Sequence, residues 1–116
     1  MTRGDDLRLA DIREACQTAV GLVKRGRTTF DSDFAVPLAL ERLLEIIGEA
    51  AGALTEDARQ AYPNAPWREM MHLRVLLAHH YHRVDPGQVW AIAERDVPAL
   101  LAALSPVEEG RTDGGA

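Results

Sequence analysis

Arg74, His79 and Tyr81 are the side chains in this sequence whose types and spacing could do chemistry together. Arginine offers a planar fork of donors suited to phosphate, and an ordinary histidine, with a pKa near about 6.5, takes or gives a proton at neutral pH. Those are the two tools of metal-free RNA cleavage. The neighbourhood favours the same reading: from Trp67 to Arg83 there are three arginines and four histidines against one acid, Glu69, in a chain of formal net charge −5. A local anion site is therefore expected, whereas the acidic whole argues against a globally basic nucleic-acid binder.

At about 100° per residue, Arg74 and Tyr81 lie within roughly 20° of each other on a helix, but Arg74 and His79 differ by roughly 140°. Either the helix loosens before His79, or a second copy of the chain completes the site across a two-fold axis. Arg74 also falls on the stripe Trp67, Met70, Leu77 and Tyr81, where a charge is expensive unless paired or placed at an interface. Plainer roles exist for each group: Glu49 could be the ion-pair partner of Arg74, His79 could bond helix-end carbonyls, and Tyr81 could be a packed aromatic. His79 and His82 stand one turn apart and His72 shares a face with His79, yet no cysteine or carboxylate cluster joins them, so no metal is expected. No phosphate-cradling glycine loop, acyl-transfer triad or dinucleotide fingerprint is present, and no cofactor is expected.

The elements that must position these residues read as helices. Leu9, Ile12, Cys16, Ala19 and Val23 follow the Asp5-Asp6 pair at spacings of three and four, with Gly26 as the stop. After a loop at 27–32, a second run, Leu40, Leu43, Leu44, Ile47, Ala50, Ala51 and Leu54, starts near Pro37. Thr55 caps a short helix that reaches about Tyr62, and the turn at 63–66 leads to a helix running from Pro66 through Arg74 to Tyr81. Asp85-Pro86 opens a last helix, carried by Val89, Trp90, Ile92 and Ala93, which Pro98 should kink or restart before Ser105-Pro106. Trp67, Trp90 and Cys16 fall on apolar stripes and read as core.

Composition agrees. Alanine and leucine, 18 and 14, outweigh the 18 valines, isoleucines and threonines combined, favouring helix on side-chain entropy grounds. The 116 residues suit one domain, residues 1–107, with a disordered tail at 108–116 that carries no apolar side chain except its terminal alanine. The expected fold is all-α, an antiparallel up-and-down bundle of four long helices plus a short one. A single cysteine and no apolar signal core point to the cytoplasm, and no run approaches the roughly 20 apolar residues of a membrane span.

Arg-x4-His-x-Tyr, as Arg74, His79 and Tyr81, resembles the signature of the HepT-like toxins of the HEPN superfamily. Gly26-Arg27, Ile47-Gly48-Glu49-Ala50, Pro63-x3-Trp67, Tyr81-x2-Val84-Asp85 and Val89-Trp90 extend the resemblance over roughly residues 5–104. It implies a homodimeric, metal-independent endoribonuclease in a type VII-like toxin–antitoxin system, with its cleft between protomers. The implied partners are RNA and a MntA-like nucleotidyltransferase antitoxin that adenylylates the motif tyrosine, with possible higher assembly. Those roles fall on Arg74 and His79 as catalytic groups and on Tyr81 as the modified one, with Glu49, His80 and Arg83 as auxiliaries. The sequence departs from the family at Val75, where a polar residue, commonly asparagine, follows the motif arginine. That departure favours the rival reading, a non-catalytic accessory or substrate-binding subunit of a two-component nucleotidyltransferase.

Overall fold

A computed structural model describes residues 1–78 and 85–105. The first helix, α1 (Arg3–Val23), begins slightly ahead of the Asp5-Asp6 pair because Thr2 is its N-cap. Thr2 Oγ1 accepts from the Asp5 amide at 3.0 Å, and Asp5 Oδ2 accepts from the Thr2 amide at 2.9 Å. This reciprocal box satisfies two amides that a bare helix start leaves unbonded. Asp5 has a second duty: fully buried, it accepts from the Thr55 amide at 2.9 Å and the Thr55 hydroxyl at 2.7 Å. The backbone amides of Thr2 and Thr55 and the Thr55 hydroxyl hold its carboxyl well below the usual carboxylate range, outweighing desolvation.

The chain reverses at Gly26, whose φ of 93° lies where a side chain would be strained. The stretch expected to be a loop is instead a short helix, α2 (Arg27–Ser32). Its single buried anchor, Phe30, meets Trp90 edge-on at 5.1 Å, and Arg27 pairs with Asp31 one turn away at 2.9 Å. Next comes α3 (Ala35–Ala53), with Pro37 in its first turn as expected. Thr55 then caps α4 (Glu56–Gln60), accepting from the Ala58 amide at 3.2 Å.

α5 (Trp67–Ala78) carries the described part of the candidate segment. Asp85 caps α6 (Pro86–Ala91), accepting from the Gly87 amide at 3.0 Å. A π-helical turn, Ile92–Asp96, follows, in which the Val97 amide bonds back to Ile92, and α7 (Val97–Leu104) restarts with Pro98 in its first turn. In an unbroken α-helix the Pro98 ring would strike the Glu94 carbonyl, and the widened turn relieves that clash.

These elements make an all-α, up-and-down bundle, with no strand among the described residues. α3 lies between α1 and α5, and the 86–104 segment packs back on α1 and α3. Leu9, Ile12, Cys16, Leu40, Leu44, Ile47, Met70, Val89, Val97 and Leu100 form the buried centre. Burial pushes the Cys16 thiol up to about 12. Trp90 is core, while half-buried Trp67 packs on the core and donates its indole N–H to the carbonyls of Arg59 and Tyr62, each at 3.0 Å. No described helix is long and apolar enough to cross a membrane. The boundary expected at residue 107 and the tail beyond it lie outside the described residues.

Candidate active site

Arg74 is where the candidate chemistry meets the described structure. The buried stripe of α5 runs Met70, Leu73, Leu77, and Arg74 stands beside it, exposed. This corrects the expectation that Arg74 itself occupies the apolar stripe. Leu73 takes that place: the two positions flank the same helix face and both reach α3, but Leu73 is closed off from solvent and Arg74 is not. The burial cost expected for the arginine therefore does not arise.

α3 offers Arg74 a surface without side chains. Gly48 and Gly52, four residues apart, share the face toward α5. A Cβ placed on Gly48 would stand 3.1 Å from Leu73 Cβ, 3.1 Å from the Met70 carbonyl oxygen and 3.3 Å from Arg74 Cγ. One placed on Gly52 would stand 2.6 Å from Arg74 Nη1 and 3.3 Å from its Cδ. Helical side chains lean toward the helix N-terminus, and Arg74 follows that rule, reaching back across α3 from Gly48 to Gly52. The stem lies on bare helix backbone and the residue remains open to solvent.

Glu49, the acid expected to partner Arg74, is exposed on α3, and no ion pair joins the two. Glu45, one turn earlier on α3, is taken by Arg42 at 2.8 Å. Among the described residues Arg74 makes neither a hydrogen bond nor an ion pair. Beside it Val75 is 56% exposed, offering the solvent face an apolar group where an amide could have donated.

His79, His80, Tyr81, His82 and Arg83 lie outside the described residues, so their distances to Arg74 are not part of this site's geometry. His72 is exposed and lines a shallow groove with Glu69, Leu76, Gln88, Ile92 and Asp96, apart from the glycine face. Among the described residues no three histidine, cysteine or acidic side chains gather as a metal site. Sequence reasoning picked out Gly48 only as part of the familiar Ile47-Gly48-Glu49-Ala50 string and passed over Gly52. The available signal was the Gly-x3-Gly spacing on α3, which marks a face where another helix or a long side chain can approach closely.

The fold is thus an all-helical bundle with an arginine at a helix seam that has no partner among the described residues, and comparison with known proteins gives the class. The Ribonuclease HepT-like family matches residues 12–107. This chain belongs to that family. Over 93 residues it is 37% identical to a protein of Methanocaldococcus jannaschii named provisionally as an RNase, covering 79% of this chain and 85% of that one. It is 39% identical over 71 residues to the "Probable ribonuclease HepT" of Thermococcus cleftensis, covering 61% of this chain and 64% of that one. A provisionally named RNase of Caldanaerobacter subterraneus is 31% identical over 93 residues, 79% of this chain and 83% of that one. No solved structure matches it.

Proposed function

We propose that this protein is a metal-independent endoribonuclease, the toxin of a two-component system, whose active groups are Arg74 and His79 and whose activity is silenced by adenylylation of Tyr81. The observation that carries the reading is the state of Arg74: exposed, laid on a glycine face, and without a carboxylate partner among the described residues. An arginine committed to the fold spends its donors on acids or carbonyls, as Arg13 does on the Leu104 carbonyl, whereas one awaiting phosphate keeps them open. Membership of the Ribonuclease HepT-like family supports RNA as the substrate.

In this mechanism His79 serves as general base on the ribose 2′-hydroxyl or as acid on the leaving 5′-oxygen, and Arg74 stabilises the charge that develops on the phosphorane. The 2′-oxygen bonds to phosphorus, the P–O5′ bond breaks, and the products are a 2′,3′-cyclic phosphate and a free 5′-hydroxyl. A homodimer resolves the angular mismatch between Arg74 and His79 by drawing them from different protomers. The partner is a nucleotidyltransferase antitoxin. An AMP on Tyr81 would set a negative phosphate in competition for the donors that RNA needs, with His80 and Arg83 adding to them and Glu49 as a further auxiliary.

The test is cleavage of RNA in excess EDTA with analysis of the new ends. Wild type should give cyclic-phosphate ends, and Arg74→Ala and His79→Ala should each lose about 10²–10³-fold in rate. Mixing the two inactive variants should restore part of the activity if sites are shared between protomers. Incubation with the cognate nucleotidyltransferase and ATP should add about 329 Da per AMP at Tyr81 and silence cleavage in proportion. Folded, unmodified wild type that is inert on every RNA tried would transfer the assignment to a non-catalytic substrate-binding subunit, the reading that exposed Val75 favours.

A further inference from the structure

We infer that Gly52 is a positioning residue for Arg74: the absence of a side chain there sets where the guanidinium stands. The inference rests on the proposed role of Arg74 in RNA cleavage and extends it to a residue on another helix that touches no substrate. The two glycines of the α3 face do different work. The Cβ that Gly48 lacks would meet the backbone carbonyl of Met70 and the Cβ of Leu73, both at 3.1 Å, so Gly48 sets how closely α5 approaches α3. Neither of those atoms can move without moving the helix.

The three atoms nearest to the Cβ that Gly52 lacks all belong to Arg74, with Nη1 at 2.6 Å, Cδ at 3.3 Å and Cζ at 3.5 Å. Each of these is an atom of one flexible, exposed side chain. An alanine at 52 therefore fits once the guanidinium swings away, and it replaces a poor helix former with the best one. The fold keeps its stability while the arginine loses its place. Gly21 supplies the reference, because a Cβ there meets nothing within 4 Å.

The experiment compares Gly52→Ala, Gly48→Ala and Gly21→Ala in the full chain, reading thermal midpoint, RNA cleavage in EDTA, and the Arg74 Nε–Hε NMR signal assigned from Arg74→Lys. Gly52→Ala should melt at or above wild type, shift the Arg74 signal and lower kcat about 10- to 100-fold, as expected when a catalytic group is displaced by about an ångström. Gly48→Ala should lower the midpoint, and Gly21→Ala should leave cleavage and the Arg74 signal unchanged. An unmoved Arg74 signal, wild-type cleavage by Gly52→Ala, or loss of its fold overturns the inference and leaves the ribonuclease reading intact. Wild-type cleavage by Arg74→Ala overturns the ribonuclease role of Arg74 and the inference with it.

Discussion

Two charged residues sit between helices in this protein and are treated in opposite ways. Asp5, at the junction of α1 and α4, is fully buried and takes donors from Thr2 and Thr55 on every side. Arg74, on the seam of α5 and α3, is exposed and has no hydrogen-bond or ion-pair partner among the described residues. A buried charge survives only when its hydrogen-bonding capacity is filled, so Asp5 belongs to the fold. A charge held in place by bare backbone, with its donors left open, contributes little to folding and is free to meet a ligand. The comparison separates a charge committed to the fold from one proposed for chemistry, though both are ionic and both stand where helices meet.

Substitution should make that separation measurable. The largest expected effect is on activity at the α5 seam, where Arg74→Ala removes cleavage about 10²–10³-fold while the thermal midpoint stays near wild type. Asp5→Asn should do the reverse, lowering the midpoint by several degrees while the folded fraction cleaves RNA at the wild-type rate. A calorimetric scan beside a cleavage assay checks both; equal loss of stability in the two variants would erase the contrast.

Acid sharpens it further. Because the folded-state pKa of Asp5 is depressed, its stabilising contribution is present above the unfolded carboxylate value near about 3.9 and is lost as pH falls from there toward the folded value. The midpoints of wild type and Asp5→Asn should therefore differ most near neutrality and converge as pH falls below about 4. A gap that widened in acid would show that the carboxylate is not the stabilising form. The smallest effect is expected at Arg42, whose pair with Glu45 spans one turn at the surface. Arg42→Ala should change stability by less than about 0.5 kcal/mol, which a denaturant titration can bound.

The sequence announced the long helices because apolar residues recur at three and four over α1 and α3, and it announced Thr55, Pro37 and Asp85 because each has a local reason to begin a helix. α2 was hidden because six residues hold too little periodicity, and its anchor, Phe30, is fixed by a ring sixty residues away. Arg74 stood out by residue type, but its burial was misplaced, since positions 73 and 74 both flank one helix face and both reach α3, and only the tertiary packing decides which is closed off from solvent. Gly52 left almost no trace, because its contribution is a side chain that is missing, and only a neighbouring helix gives that absence meaning. The Ile92–Asp96 turn shows the middle case: Pro98 signalled a disturbance without saying which form it would take.

The hydrogen bonds from Arg13 to the Leu104 carbonyl, at 2.9 and 3.3 Å, span 91 positions of the chain, and the same guanidinium meets the Tyr62 hydroxyl at 3.3 Å. Such a clasp can close only after both of its ends have been assembled, so it belongs late on the folding route and early on the way out. It should be absent from the transition state, making it a brake on opening and no aid to collapse. Replacing Arg13 with alanine should thus steepen nothing on the refolding arm of a chevron while raising the unfolding rate, shortening the life of each folded molecule more than it slows the making of a new one.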